Sequence, residues 1–217
     1  MKIDPGSIHD NDFYKLIIGA VVPRPIAWVS TISKDGVLNL APFSFFTVAS
    51  RNPFTLCFSV GPGVEERAGT EKDTLVNIRD VKEFVINIVN VATANAMFHS
   101  SGNFPPEADE FALSGVTPEP SDLVRPPRVK ESPINIECRL DRIVQVGTDS
   151  LILGQVLRYH IRDELVDERY RVDLNRLQAL GRLPNTFFVV DNWFTLPRPD
   201  FVGGNKQAAR PSRTQTQ

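Results

Sequence analysis

Cysteine and histidine are scarce in this chain, and each shortage closes off a class of protein. Two cysteines among 217 residues make neither the disulfide framework of a small secreted domain nor a thiolate metal centre. Cys57 and Cys138 both sit in apolar, strand-like runs, which predicts buried free thiols. The three histidines, His9, His99 and His160, are scattered. There is no H-E-x-x-H, no C-x-x-C, no G-x-S-x-G and no G-x-x-x-x-G-K-[ST], so zinc hydrolysis, a serine triad and a phosphate loop have no foothold. Gly61 and Gly63 begin a G-x-G, but Glu66 stands where a third glycine is needed. A long apolar run is missing too. Leu16–Val22 is broken by Pro23 and Arg24, far short of the roughly 20 residues that span a bilayer. The polar start, Met1 to Gly6, does not read as a signal peptide. The expectation is a cytoplasmic protein with no membrane contact. A net charge of −2 and a pI near 5.9 argue against a partner in nucleic acid.

Proline is abundant instead. Its 17 residues outnumber the 13 glycines, which disfavours a helical bundle, because an internal proline costs about 3 kcal/mol in a helix. Phe13, Leu16, Ile17 and Ala20 follow the capping candidates Asp10–Asp12 at helical spacing and predict a short amphipathic helix. Ile26–Ser33, the turn signal Asp35-Gly36 and Val37–Leu40 predict a hairpin. Strands are predicted over 43–49, 54–60, 84–89, 134–146, 151–162 and 187–190. Short helices are predicted from Asp73, acting as a cap, and over 93–99 and 173–180. Seven prolines fall between Gly102 and Pro133, interspersed with Phe104, Phe111, Val116 and Val129. A free linker has no use for such apolar side chains, so this segment reads as an arm laid over a sheet or a second subunit. The pattern predicts a mainly β fold, a small barrel or sandwich of antiparallel hairpins with a few short covering helices. One domain is expected over 1–201, followed by a disordered basic tail over 202–217 that carries Lys206, Arg210 and Arg213.

Two local patterns carry possible chemistry. Pro42 cannot donate a ladder hydrogen bond, so the strand is expected to break there. The freed backbone groups would read the polar edge of a flat heterocycle, or the site is a proline bulge in an edge strand. Lys72-Asp73-Thr74 joins a cation, a hydroxyl and a helix start, which suits phosphate; the alternative is an ordinary cap beside a surface lysine. Together they suggest a phosphate-bearing aromatic ligand.

The order of rare pairs then carries a resemblance. Val22-Pro23-Arg24-Pro25-Ile26-Ala27-Trp28-Val29-Ser30-Thr31, Asp35-Gly36, Asn39-Leu40-Ala41-Pro42-Phe43-Ser44-Phe45-Phe46, Asn52-Pro53 and Leu56-Cys57-Phe58-Ser59 resemble the flavin reductase-like family. That family includes flavoredoxin and the reductase components of two-component monooxygenases. Lys72–Ile78, Glu110-Phe111, Gly115-Val116-Thr117, Ser132-Pro133, Glu137-Cys138 and Gly181-Arg182-Leu183 are similar to its later blocks. The resemblance implies an FMN-binding split β-barrel of Greek-key type, usually a homodimer with flavin near the subunit interface. Pro42, Phe43, Ser44 and Phe45 would line the isoalloxazine. Ser59, Lys72, Asp73, Thr74 and Asn77 would face the ribityl chain and phosphate. Arg24 would join them or form a structural ion pair, while Trp28 and Cys57 match the pattern as core or site. Pro184-Asn185 depart from the family's Gly-Gly.

The resemblance also implies an NAD(P)H-dependent flavin reductase, with NADH or NADPH as transient donor. Hydride passes from nicotinamide C4 to flavin N5 and no side-chain nucleophile is required, which agrees with the missing catalytic motifs. Reducing equivalents would go to an acceptor or a partner monooxygenase. Two other readings remain: a flavin-binding electron carrier without its own NAD(P)H site, and a non-enzymatic dimeric β-barrel interaction protein.

Overall fold

The structure, a computed structural model, describes residues 1–196. The expected tail over 202–217 and the expected boundary at 201 lie outside the described residues. Helix α1 (Asp10–Ala20) leads into β1 (Arg24–Pro25), β2 (Ala27–Ile32), β3 (Leu38–Phe43), β4 (Phe46–Arg51) and β5 (Phe54–Val60). Helix α2 (Asp73–Val81) and β6 (Glu83–Ile88) follow, then α3 (Ala94–His99), α4 (Glu110–Ser114), β7 (Pro118–Glu119) and β8 (Arg128–Val129). The long hairpin β9 (Ile134–Val146) and β10 (Asp149–Ile161) precedes α5 (Leu174–Leu177), β11 (Leu180–Arg182) and β12 (Phe187–Val189). No helix among the described residues is long and apolar enough to cross a membrane.

Seven strands form one antiparallel sheet in the order β3-β2-β6-β9-β10-β5-β4. Its two edges, β3 and β4, are consecutive in the chain and are joined through Ser44 and Phe45 alone. A flat sheet would hold those edges about 29 Å apart, six strand spacings of about 4.8 Å. Two residues reach only about 10 Å. The sheet must therefore curl until its edges meet, and the rings of Phe43 and Phe58 pack 5.3 Å apart across the closure. Register shifts at Leu153/Gly154 and Val156/Arg158 bend the long hairpin. Gly154 is required at the bend, since a Cβ there would lie 2.2 Å from Phe84 Cζ.

The alternation along β2 shows why both of its faces are buried. Ala27 and Val29 point into the barrel with Phe58, Phe84, Ile86 and Ile152, while Trp28 joins an outer cluster with Leu40, Met97, Phe111 and Val129. The proline-rich arm supplies the cover for that outer face and is no free linker. Its grip is polar as well as apolar. Ser30 Oγ donates to Pro127 O at 2.6 Å, and Glu137, fully buried on β9, accepts from the N–H groups of Asp122 and Leu123 at 2.9 and 2.7 Å. The polar residues Asn135 and Glu137 thus lie under the arm, where a reading of β9 by alternation alone would place solvent.

Three expectations need correction. The strand does not break at Pro42. Strand β3 runs through it to Phe43 and is interrupted only at Ser44, because an edge strand has a partner on one side and tolerates a missing donor. The strand predicted over 43–49 is consequently split between β3 and β4. Helix α2 is capped by Lys72, without a side-chain cap bond, and Asp73 is its first residue. In the small sheet β1-β11-β12, β12 falls at the strand predicted over 187–190, while β1 and β11 were not anticipated; strands of two or three residues carry too little periodicity to be read. Cys138 is buried and Cys57 half-buried, and both are free thiols.

Candidate functional site

A groove runs along the outer side of the barrel closure. Its first compartment is polar and lies between the end of β3, the start of α2 and the turn at 100–104. Its second is walled by Ile26, Met97, Phe98 and Phe187, with Ser44, Ser101 and Arg182 adding polar groups. The two share Pro42 and Ser101, so they form one continuous depression.

The polar compartment is built on the N-terminus of α2. The first backbone N–H groups of a helix have no partner within it and carry its partial positive charge. Lys72 lines the compartment and forms no salt bridge among the described residues. Asp73 would oppose an anion there, but Arg67 engages its carboxylate through Nη1 and, at 2.9 Å, through Nη2. The pair leaves the helix start net positive through Lys72. Thr74 is buried, and its hydroxyl donates to Asn39 Oδ1 at 2.9 Å; Thr31 Oγ1 donates to the same oxygen and accepts from Asn77 Nδ2 at 3.1 Å. This chain of side chains locks α2 to β2 and β3 beneath the groove.

Glu110 closes the far wall. It is buried, and its Oε2 accepts from Leu40 N at 2.6 Å. Burial pushes its carboxyl up to about 7; the negative charge of Asp73 adds to the rise, while the Leu40 N–H, Asn39 and Arg67 act against it.

The structure brings Pro42, Phe43, Ser44, Lys72, Asp73 and Thr74 to this groove. It does not bring the other four site candidates there. Asn77 acts one layer below, on Thr31. Phe45 turns to the opposite side, against Tyr14 of α1 with ring centroids 6.5 Å apart. Ser59 donates to Asp149 at 3.3 Å. Arg24 is buried and forms no ion pair among the described residues; its guanidinium donates to the carbonyls of Ile18 at 2.7 Å, Val21 at 3.1 Å and Leu183 at 3.3 Å. It fastens the end of α1 to the strand region after Gly181. The groove residues missed by the sequence reading are Arg67, Glu110, Ser101, Arg182 and Phe187. Of these, Glu110 and Arg182 stood within matched family blocks, which was the available signal.

A model of the flavin reductase like domain matches residues 19–176, and the chain belongs to that family. A protein of Aquifex aeolicus (strain VF5) is 44% identical over 176 residues, covering 81% of this chain and 88% of the relative. Among solved structures, nitrilotriacetate monooxygenase component B from Bacillus cereus is 32% identical, covers 90% of this chain and 98% of its own, and superposes with a TM-score of 0.86. Pseudomonas fluorescens 2-nitrobenzoate 2-nitroreductase NbaA is 29% identical, with 94% and 100% covered and a TM-score of 0.82. The curled seven-stranded sheet is the split barrel expected from the sequence, and the chain is a flavin reductase-like oxidoreductase by family.

Proposed function

We propose that the chain binds FMN in this groove and reduces it with NADH or NADPH, passing the reducing equivalents to an acceptor or a partner monooxygenase. The observation that carries the reading is the division of the groove. A helix start with Lys72, unpaired among the described residues, lies at one end, and a cleft walled by Ile26, Met97, Phe98 and Phe187 against Pro42 and Ser44 lies at the other. FMN has the same division, a phosphate joined by a polar chain to a planar ring. Lys72 and the Asp73 and Thr74 N–H groups would hold the phosphate. Pro42, Phe43 and Ser44 would hold the ring. When bound, the flavin supplies the hydride-accepting chemistry. The protein's part is to orient the ring, exclude water with the apolar walls and place fixed charge beside it.

The name of the Bacillus cereus neighbour, a monooxygenase component, supports a partner oxygenase. A homodimer is part of the same reading. It is supported by the exposed apolar side chains of Tyr14, Leu16 and Ile17 on α1 and of Val48 on β4. Reconstitution of the purified protein with FMN tests the reading. Flavin absorbance that stays with the protein through gel filtration is the expected result, and protein that elutes without it contradicts the reading.

A further inference from the structure

Among the described residues, the second compartment holds one charge that no other side chain answers. Arg182 on β11 lines it, with Ile26, Met97, Phe98 and Phe187 around it. Its backbone is fixed by pairing with Arg24 of β1 on one side and Phe187 of β12 on the other. Gly181 lets the three strands approach, since a Cβ there would lie 2.1 Å from Phe188 Cε1 and 3.0 Å from Arg24 O. The Arg182 guanidinium stacks over Phe187 at 4.6 Å from the ring centroid, and Phe187 meets Phe98 edge-on at 6.1 Å.

Arg24 and Arg182 are cross-strand neighbours with opposite fates. Arg24 is buried and uses its guanidinium on three backbone carbonyls. Among the described residues, Arg182 forms no salt bridge and its side chain donates no hydrogen bond, so its one recorded partner is an aromatic ring. A guanidinium offers five N–H donors. Held over the Phe187 ring at the wall of the cleft, those donors are preorganised for an acceptor from outside the chain.

We propose that Arg182 is the charge that favours the reduced flavin over the oxidised one. The inference rests on the flavin reading above. With the phosphate end at α2, the ring end falls to the compartment that Arg182 lines. A hydride carries two electrons and one proton. The ring that accepts it therefore gains one negative charge, the nicotinamide leaves as its pyridinium cation, and a proton from water can later neutralise the ring. A fixed cation beside the ring interacts more strongly with it after that charge arrives than before. Arg182 thus sets how far reduction proceeds, rather than how tightly the oxidised flavin is held.

The test uses the full chain loaded with FMN. Oxidised-FMN affinity is measured by fluorescence titration, and the potential of bound flavin by anaerobic reduction against a reference dye. Wild type, Arg182→Met and Arg182→Lys are compared, with Arg182→Gln in reserve should the Met variant fold poorly. Arg182→Met is expected to hold oxidised FMN within about threefold of wild type while reduced FMN binds about tenfold more weakly, a fall of about 30 mV for a two-electron couple. Arg182→Lys is expected to keep most of the wild-type potential. An unchanged potential in Arg182→Met overturns the proposal, and so does an equal weakening of both redox forms, which would mark a packing role. Failure of the flavin reading shows earlier and separately, as wild-type protein that does not bind oxidised FMN at all.

Discussion

The carboxylate of Glu110 accepts a hydrogen bond from the Leu40 backbone N–H across 2.6 Å. Leu40 lies on β3, an edge strand whose single partner is β2. Glu110 belongs to the arm that covers the barrel. One bond thus seals an open sheet edge and holds the cover beside the groove.

The burial of Glu110 makes stability depend on pH. The Glu110 carboxyl is raised to about 7 in the folded protein from an ordinary 4.5, mainly by burial. A raised acid favours the fold while it stays protonated. Its contribution is complete below 4.5 and is lost as pH rises through about 7. Glu110→Gln keeps an acceptor for Leu40 without the charge. The variant is expected to gain on wild type by up to about 3 kcal/mol between acid and mildly alkaline pH. Urea melts across that range check this, and parallel pH profiles of the two proteins would show that Glu110 does not titrate there.

Lys72 is the one cation at the helix start without a carboxylate partner among the described residues. Lys72→Ala should weaken FMN binding by about 1.5–3 kcal/mol, the range for a lost charge-assisted bond. Riboflavin, which lacks the phosphate, should bind both proteins alike. Calorimetric titration with both ligands separates a phosphate contact from general damage to the site.

The Arg67–Asp73 pair gives a reciprocal result. Arg67→Ala leaves the Asp73 carboxylate facing the phosphate compartment, and FMN binding is expected to fall about tenfold or more. Adding Asp73→Asn removes the repulsion and should restore most of the loss. A double variant as weak as the single one would show that Arg67 acts by direct contact or by shaping the loop.

Much of the fold was legible because its periodicities are long. The thirteen-residue strand β9 was read at its observed bounds and β2 within a residue, while β3 runs three residues past the predicted Leu40 and α1 is capped by His9 rather than by Asp10–Asp12. What the sequence hid is tertiary. Glu137 alternates as a surface residue would, yet it is buried because the arm returns over it. Pro42 looked like a strand breaker, but only the sheet order reveals that β3 is an edge. The local block Lys72-Asp73-Thr74 was readable as an anion site. Arg67, Glu110 and Arg182 come from separate parts of the chain, and only folding brings them to the groove.

Glu137 also gives a test of the cover. It accepts from Asp122 N and Leu123 N and lies 2.6 Å from His160 Nε2. Glu137→Gln replaces one acceptor oxygen by a donor facing N–H groups, which should cost about 1–3 kcal/mol. Hydrogen exchange at the Asp122 and Leu123 amides should accelerate more than exchange in β9. Uniform acceleration would mean that Glu137 supports the whole barrel rather than the arm.

Under the proposed function, this groove presents bound flavin to a nicotinamide donor. Anaerobic stopped-flow mixing of the FMN-loaded protein with NADH, and separately with NADPH, tests this. Bleaching of the flavin absorbance by at least one of the two donors is expected. Bound flavin that dithionite reduces but neither nicotinamide bleaches would contradict it, and would leave an electron carrier in place of a reductase.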